Sequence, residues 1–162
     1  MDRGYRLLAD DVSLIQVSSQ TVPGVWPAHP GLKLWPDSLH QLQRDPESLP
    51  PVFQKENKRR LSARHTFSTQ GNIPLQAIFL LEPDEAVTRV VLTRLQGKAC
   101  FDAISANIYR TEAVTWFGQT ANHFRFCAEL AKKVPIFRLQ RPTEPFDLEA
   151  IYQLVTQTIA SL

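Results

Sequence analysis

Residues 4–15 read GYRLLADDVSLI and place two adjacent carboxylates between two apolar runs near the start of the chain. We expect residues 5–9 to be the end of one strand and residues 12–17 to be a second strand, in which apolar and polar side chains partly alternate. On an extended segment, Asp10 and Asp11 would point to opposite faces and could not share one role. An acid at the carboxyl edge of a sheet can bind Mg²⁺ or orient a hydroxyl nucleophile. Spacing alone leaves a second interpretation open, in which both acids are solvated on a turn between hairpin strands.

The composition is that of an ordinary globular protein. The chain has 162 residues, 43% of them hydrophobic, which is enough for one domain with a core. A formal net charge of +2 gives no reason to expect binding to nucleic acid or to a membrane surface. Its apolar runs are too short to span a membrane, and the amino terminus lacks the apolar stretch of a signal peptide. We therefore expect a cytoplasmic protein in which Cys100 and Cys127 are reduced core thiols.

Strands are expected mainly in the first half. Prolines crowd the first third of the chain, which favours turns and short extended segments. There we expect a short helix that starts at Asp37 or Ser38, either of which could cap it, and a mobile loop at residues 44–57. Apolar runs at residues 75–81 and 87–95 predict two strands joined by a turn.

Helices dominate the expected second half. One helix is predicted at residues 98–109, and a longer one, which includes Phe117, ends before Pro135. A short strand, PIFRLQ, follows at residues 135–140, and a final amphipathic helix at residues 148–162 has Asp147 in position to cap it. This order predicts an α/β or α+β domain built on a mixed sheet.

In its longer form, RGYRLLADDVSLI at residues 3–15, the opening stretch resembles the HPr serine kinase/phosphorylase family, in which a glycine and a basic residue precede a strand ending in Ala-Asp-Asp. The likeness continues in order along nearly the whole chain. Its other segments are PGLKLWPDSLHQL at residues 30–42, KRRLSA at 58–63, PLQAIFLLEP at 74–83 and HFRFCAELAKKVPIFRLQRP at 123–142. The resemblance implies a phosphoenolpyruvate-carboxykinase-like mixed sheet and a small ATP-dependent serine kinase.

The resemblance also implies roles for particular residues. Asp10 resembles the catalytic base that accepts a proton from a serine hydroxyl, and Asp11 resembles its companion at the metal or phosphate site. Four further residues resemble family positions that bind the nucleotide or its phosphates: Lys58, Arg59, Asn107 and Arg110. The same four also fit a solvated basic cluster, a surface arginine or a helix cap. The implied cofactors are Mg²⁺ and ATP, and the implied partner is a protein or peptide that carries a serine.

The chain departs from this family in one large respect. The motif G-x-x-x-x-G-K-[ST], whose backbone amides cradle phosphates, does not occur in it. The nearest match, Gly97-Lys98, has Leu92 in place of the first glycine and Ala99 in place of the metal-binding hydroxyl. We therefore expect residues 1–162 to form one HPr-kinase-like domain that lacks its amino-terminal phosphate-loop segment. Without that segment, apolar strand edges would be exposed and would favour self-association.

Two functions of different classes follow from the sequence. The first is phosphoryl transfer from ATP to a serine hydroxyl of a protein or peptide, in a partial form of the kinase domain. The second is a non-catalytic module that keeps the kinase-like scaffold and binds a peptide or protein. The four histidines do not stand at zinc-ligand spacing and no G-x-S-x-G turn occurs, so neither a zinc site nor a serine hydrolase is expected.

Overall fold

The computed structural model describes residues 3–53, 56–62, 67–68, 71–144 and 147–162. The chain divides into two units, each built from two separate stretches of sequence. The first contains Met1–Gln16 and Gly24–Ile73, and the second contains Val17–Pro23 and Pro74–Leu162. The expectation of one HPr-kinase-like domain over the whole chain stays a prediction.

The first unit contains two small antiparallel pairings. Strand β1 (Leu14–Gln16) pairs with β2 (Gly24–Trp26), and β5 (Ile73–Pro74) extends this sheet in the order β1-β2-β5. Strand β3 (Gly31–Leu34) pairs with β4 (Arg59–Ser62) to form a separate two-stranded ribbon, in which Lys33 lies opposite Arg60. Because the ribbon has only two strands, the chain must close its edges by other means.

The start of this unit differs from the expectation. Residues 5–9, all of which the structure describes, form no strand; Leu7 makes an isolated parallel bridge with Phe67. The backbone hydrogen bonds explain why. The Leu7 carbonyl accepts from the Ser68 amide at 2.9 Å, and the next carbonyl, of Leu8, accepts from the Ala28 amide at 2.8 Å. The segment thus contacts two different neighbours and runs in register with neither. The second expected strand is confirmed as β1, over fewer residues.

The short helix α1 (Pro36–Gln41) is confirmed, but its expected cap is wrong. Trp35 occupies the N-cap position with an extended backbone, and no side chain makes a capping hydrogen bond there. Proline at the first helical position fixes the start instead, since its φ angle is already helical and it has no amide to satisfy. The segment expected as a mobile loop contains a 3₁₀ helix, Pro46–Ser48, and an antiparallel bridge between Pro51 and Arg59.

The second unit contains a mixed sheet of three strands. They are β6 (Ile78–Pro83), β7 (Val91–Arg94) and β8 (Ile136–Arg141), in the order β6-β8-β7. Strand β8 is parallel to β6 and antiparallel to β7. Both strands expected from the runs at residues 75–81 and 87–95 exist, but they are not neighbours. The central strand β8 has the most deeply buried apolar side chains of the three, and its Leu139 is fully inaccessible to solvent.

Four helices complete the second unit. They are α2 (Lys98–Ala106), α3 (Thr111–Trp116), α4 (Thr120–Lys133) and α5 (Leu148–Ala160). Phe117 lies outside the long helix α4, since α3 stops just before it and Gly118, at a φ of 63°, turns the chain. The cap of α5 is confirmed, because an Asp147 carboxylate oxygen accepts from the Ala150 amide at 2.9 Å.

A lysine at the end of α4 ties down a loop of the same unit. The Lys133 ammonium donates to the backbone carbonyls of Ser18, Ser19 and Thr21, the last two at 3.0 and 3.3 Å. Three carbonyls around one ammonium satisfy all of its donors.

The fold class is confirmed at the level of a mixed α/β protein, while the phosphoenolpyruvate-carboxykinase-like arrangement stays a prediction. Cys100 and Cys127 are buried free thiols, as expected, and burial raises the pKa of the Cys127 thiol. Among the described residues, no helix is long and apolar enough to cross a membrane.

Candidate functional site

The two acids of the opening stretch both bind Lys33. The backbone amide of Lys33 donates to Asp10 Oδ2 at 2.9 Å, and the Lys33 ammonium lies 2.6 Å from Asp11 Oδ2. The chain bends at these two residues instead of continuing as a strand. The expectation that the carboxylates point to opposite faces is therefore wrong, because it assumed an extended backbone.

Asp10 closes the free edge of strand β3. The Arg60 amide, opposite Lys33, donates outward to the Pro50 carbonyl at 2.9 Å, so Lys33 and Arg60 form a non-hydrogen-bonded pair of the ribbon. The Lys33 amide consequently points away from β4. The Asp10 carboxylate accepts this hydrogen bond in the place where a neighbouring strand would offer a carbonyl. Asp10 thus has a structural role that the sequence did not reveal.

Asp11 and Lys33 form an exposed ion pair. The hydrogen bond from Lys33 holds the pKa of the Asp11 carboxyl below its usual range; slight burial opposes this effect, and the positive charges of Lys33 and Lys58 add to it. The same hydrogen bond raises the pKa of Lys33, against repulsion from Arg60. Because both side chains are accessible to water, the pair is screened and its contribution to stability is small.

Four side chains share one face of the β3–β4 ribbon, which we call the basic face: Lys33, Trp35, Lys58 and Arg60. Lys33 and Arg60 are paired across the two strands, and their alternate neighbours Trp35 and Lys58 continue the same register beyond the strand ends. The Lys58 ammonium lies 5.0 Å from the centroid of a Trp35 ring, a cation–π contact. Trp35 nevertheless remains 52% exposed. Three cations and an accessible indole therefore share this face, and two of the cations, Lys33 and Lys58, act on the Asp11 carboxylate.

The Arg59 side chain lies on a different face from that of Lys58, although the two residues are adjacent in the sequence. Its guanidinium donates to the Pro46 carbonyl at 3.1 Å and lies 2.9 Å from a Glu47 carboxylate oxygen. The side chain is only 17% exposed. Neighbouring residues in a strand point to opposite faces, so Arg59 faces away from the basic face and holds the 3₁₀ helix in place.

Asn107 and Arg110 belong to the second unit. Asn107 is the C-cap residue of α2, and its side-chain amide donates to the Ala103 carbonyl at 2.9 Å. Arg110 is the N-cap residue of α3 in a left-handed conformation, with its guanidinium carbon 5.1 Å from the Tyr109 ring centroid. Both positions match the capping and surface interpretations that the sequence left open. They carry no contact that identifies a nucleotide site.

The donor atoms near Asp11 fit a magnesium site in part. Within the described ranges, no group of three or more His, Cys, Asp or Glu side chains could hold a metal ion. Mg²⁺, however, commonly takes one or two carboxylates and completes its shell with water and substrate phosphates. Asp10 and Asp11 are of the required donor type. The Lys33 ammonium occupies Oδ2 of Asp11, so a metal ion there would either bind the other carboxylate oxygen or displace the lysine.

Gly97 and Lys98, the nearest sequence match to a phosphate loop, do open helix α2. The Lys98 ammonium lies 2.5 Å from an Asp102 carboxylate oxygen one turn further along the helix. Since this lysine is paired with an acid on its own helix, its position does not resemble that of a phosphate-loop lysine.

The comparisons with known proteins are negative: no protein-family model matches the chain, and neither does any curated protein or solved structure. The site must therefore be judged from its own geometry. Lys33 and Trp35 were missed by the sequence analysis. The alternation in GLKLW, which places Lys33 and Trp35 on one face of a strand, was the signal that could have identified them.

Proposed function

We propose that the chain is a serine kinase-like domain that takes part in phosphoryl transfer from ATP to a serine hydroxyl, with Asp10 and Asp11 at the acceptor side. The observation that carries the proposal is the convergence of both carboxylates on Lys33, beside Lys58 and Arg60. A serine kinase needs a carboxylate near the acceptor hydroxyl and cations near the transferred phosphoryl group. Both kinds of charge are present here.

Each residue would have a defined task in this reaction. Asp10 would accept the proton of the serine hydroxyl through the carboxylate oxygen that the Lys33 amide does not use. Asp11 would hold Mg²⁺, which neutralises phosphate charge when it is bound. Lys33, released from Asp11, would then stabilise the negative charge that develops on the phosphoryl group.

A non-catalytic binding module is the second candidate, and a specific observation favours it. The charge of Asp11 is already compensated by Lys33, and Asp10 already has a structural partner at the edge of β3. The sequence also contains no phosphate-loop motif, so these residues alone are expected to bind ATP weakly. A chain of this kind could keep the scaffold and bind a peptide without transferring phosphate.

Nucleotide binding and transfer separate the two candidates. Calorimetry with ATP, in the presence and absence of Mg²⁺, would show Mg²⁺-dependent binding if the kinase proposal holds. Transfer of labelled phosphate to serine peptides should then fall about 100-fold or more in Asp10→Asn. Asp11→Asn should lose the Mg²⁺ dependence of binding.

Asp37→Asn is the matched control, because Asp37 is an exposed acid of the same unit without a side-chain partner among the described residues. It should bind and transfer like the unaltered chain. Absence of Mg²⁺-dependent nucleotide binding by the purified chain would exclude the kinase proposal and leave the binding module.

A further inference from the structure

We infer that the basic face of the β3–β4 ribbon binds an acidic peptide segment whose carboxylates stand at alternate positions. This inference deepens the proposed function, since it names the class of serine-bearing partner that reaches Asp10 and Asp11. It holds for a kinase and for a binding module alike, because it concerns recognition and not transfer.

The charges of the face are unevenly compensated. Lys33 is neutralised by Asp11 at 2.6 Å. Arg60 is exposed, and among the described residues no carboxylate pairs with it. The Lys58 ammonium contacts the Trp35 ring at 5.0 Å and forms no ion pair in the described part of the chain, although its charge acts on Asp11. Two cations, one in β4 and one just before it, are therefore available to an anionic ligand.

The spacing of these cations favours an extended peptide. Lys58 and Arg60 are two residues apart, and alternate residues of an extended chain lie about 6.6 Å from each other on one face. A second extended chain that runs along β4 repeats the same spacing. Acids separated by one residue, as in Glu-x-Glu, can therefore meet both cations at once, whereas adjacent acids point to opposite faces.

The edges of the ribbon indicate that side chains, and not strand addition, hold the ligand. On β3, the Lys33 amide donates a hydrogen bond to the Asp10 carboxylate, and the Gly31 amide donates one to the His29 carbonyl. On β4, the Arg60 amide donates a hydrogen bond to the Pro50 carbonyl. Since these amides are occupied, a peptide gains its affinity from ion pairs on the face and from contact with the exposed Trp35 indole.

Fluorescence anisotropy with the full chain tests this inference. The probe is a fluorescein-labelled 12-residue peptide with one serine and glutamates at alternate positions. A second peptide has the same composition, with its glutamates in separated adjacent pairs so that no two glutamates stand two positions apart. We expect the alternating peptide to bind several-fold more tightly, and Arg60→Gln to weaken it about fivefold, the effect of losing one exposed ion pair. Lys58→Gln should act in the same direction.

The matched control is Arg44→Gln. Arg44 is an exposed arginine of the same unit, and within the described residues its side chain has no partner, so this change should leave peptide binding unaltered. Equal binding of the two peptides, or an Arg60→Gln variant that binds as tightly as the unaltered chain, would refute the inference. Displacement of the peptide by Mg²⁺-ATP would assign the face to the nucleotide, and displacement by oligodeoxythymidine would assign it to single-stranded DNA; either result overturns it.

The inference and the proposed function can each be refuted without refuting the other. Peptide binding that is sensitive to Arg60→Gln, in a chain that transfers no phosphate, would support the inference and exclude the kinase. Phosphate transfer with the same KM for both peptides would support the kinase and refute the inference.

Discussion

The Lys33 ammonium lies 2.6 Å from an Asp11 carboxylate oxygen, at the point where the chain bends toward strand β3. The backbone amide of the same lysine is bound by Asp10, so one residue fixes two neighbouring acids. This arrangement gathers carboxylates and cations on one exposed surface. It also gives each acid a structural partner, and tests of function must separate the two effects.

Replacing Lys33 by methionine should raise the pKa of the Asp11 carboxyl toward its usual range. The variant loses the hydrogen bond and the positive charge that lower this pKa, while the effect of Lys58 remains. The backbone amide that Asp10 binds is retained. Carbon-detected NMR titration of the side-chain carboxyls measures the shift directly, and an unchanged Asp11 titration would show that the ion pair does not form in solution.

The pH dependence of this contribution has a defined sign. Because the folded state lowers the pKa of Asp11, the ion pair stabilises the fold above the pKa of the unfolded chain, and this effect is lost as the pH falls through the folded pKa. Lys33 has a raised pKa, so its contribution is lost only as the pH rises through that value. The difference in unfolding free energy between the unaltered chain and Lys33→Met should thus be constant through neutral pH and shrink in acid.

Lys133→Met should loosen the loop at residues 18–21. The substitution keeps the aliphatic stem but removes the ammonium that binds three backbone carbonyls. We expect a loss of about 1–2 kcal/mol in unfolding free energy, because hydrogen bonds to a charged donor are lost. Hydrogen exchange should become faster at residues 17–23. Lys132→Met is the control, since Lys132 is exposed and contacts Glu129 at 3.5 Å on its own helix.

Leu139→Ala should destabilise the second unit strongly. Leu139 is fully buried in the central strand β8, and truncation of such a leucine typically costs about 2–5 kcal/mol. Leu81 lies beside it in the register of β6 and β8 but is 63% exposed. Leu81→Ala should therefore have a much smaller effect in the same denaturant titration. Similar losses for the two variants would contradict the burial seen here.

Asp147→Ala should destabilise helix α5 by about 1 kcal/mol, because the Ala150 amide loses its acceptor at the N-terminus of the helix. Asp147→Ser should restore most of the loss, since a serine hydroxyl accepts the same hydrogen bond. Thermal unfolding followed by circular dichroism compares the two variants. If serine and alanine are equally destabilising, the carboxylate acts by its charge at the end of the helix and not as a cap.

Elements with a strong local signal were predictable from the sequence. The apolar spacing of α5, its capping acid and the run that forms β8 each determine one conformation locally, and all three are confirmed. Residues 5–9 look like a strand but form none, because their carbonyls accept from two different segments, and no local pattern encodes such partners. The order β6-β8-β7 is likewise not encoded locally, since it depends on pairings between strands far apart in the sequence.

The candidate site was predictable only in its acids. Asp10 and Asp11 stand out because adjacent carboxylates between apolar runs are unusual, whereas Lys33 lies 22 residues beyond Asp11 in a strand of ordinary composition. Its pairing with both acids depends on the bend at their own position. Arg59 shows a different limit of the sequence: its place in a basic cluster suggests a ligand contact, whereas the structure shows its guanidinium bound to the 3₁₀ helix.

The position of β8 has a consequence for biosynthesis. The ribosome completes β6 and β7 well before β8, yet these two strands have no direct pairing with each other and both require β8. Until residue 141 has left the exit tunnel, β6 and β7 therefore cannot form the hydrogen bonds that each makes with β8. During that interval the unpaired strand edges and exposed apolar side chains favour aggregation.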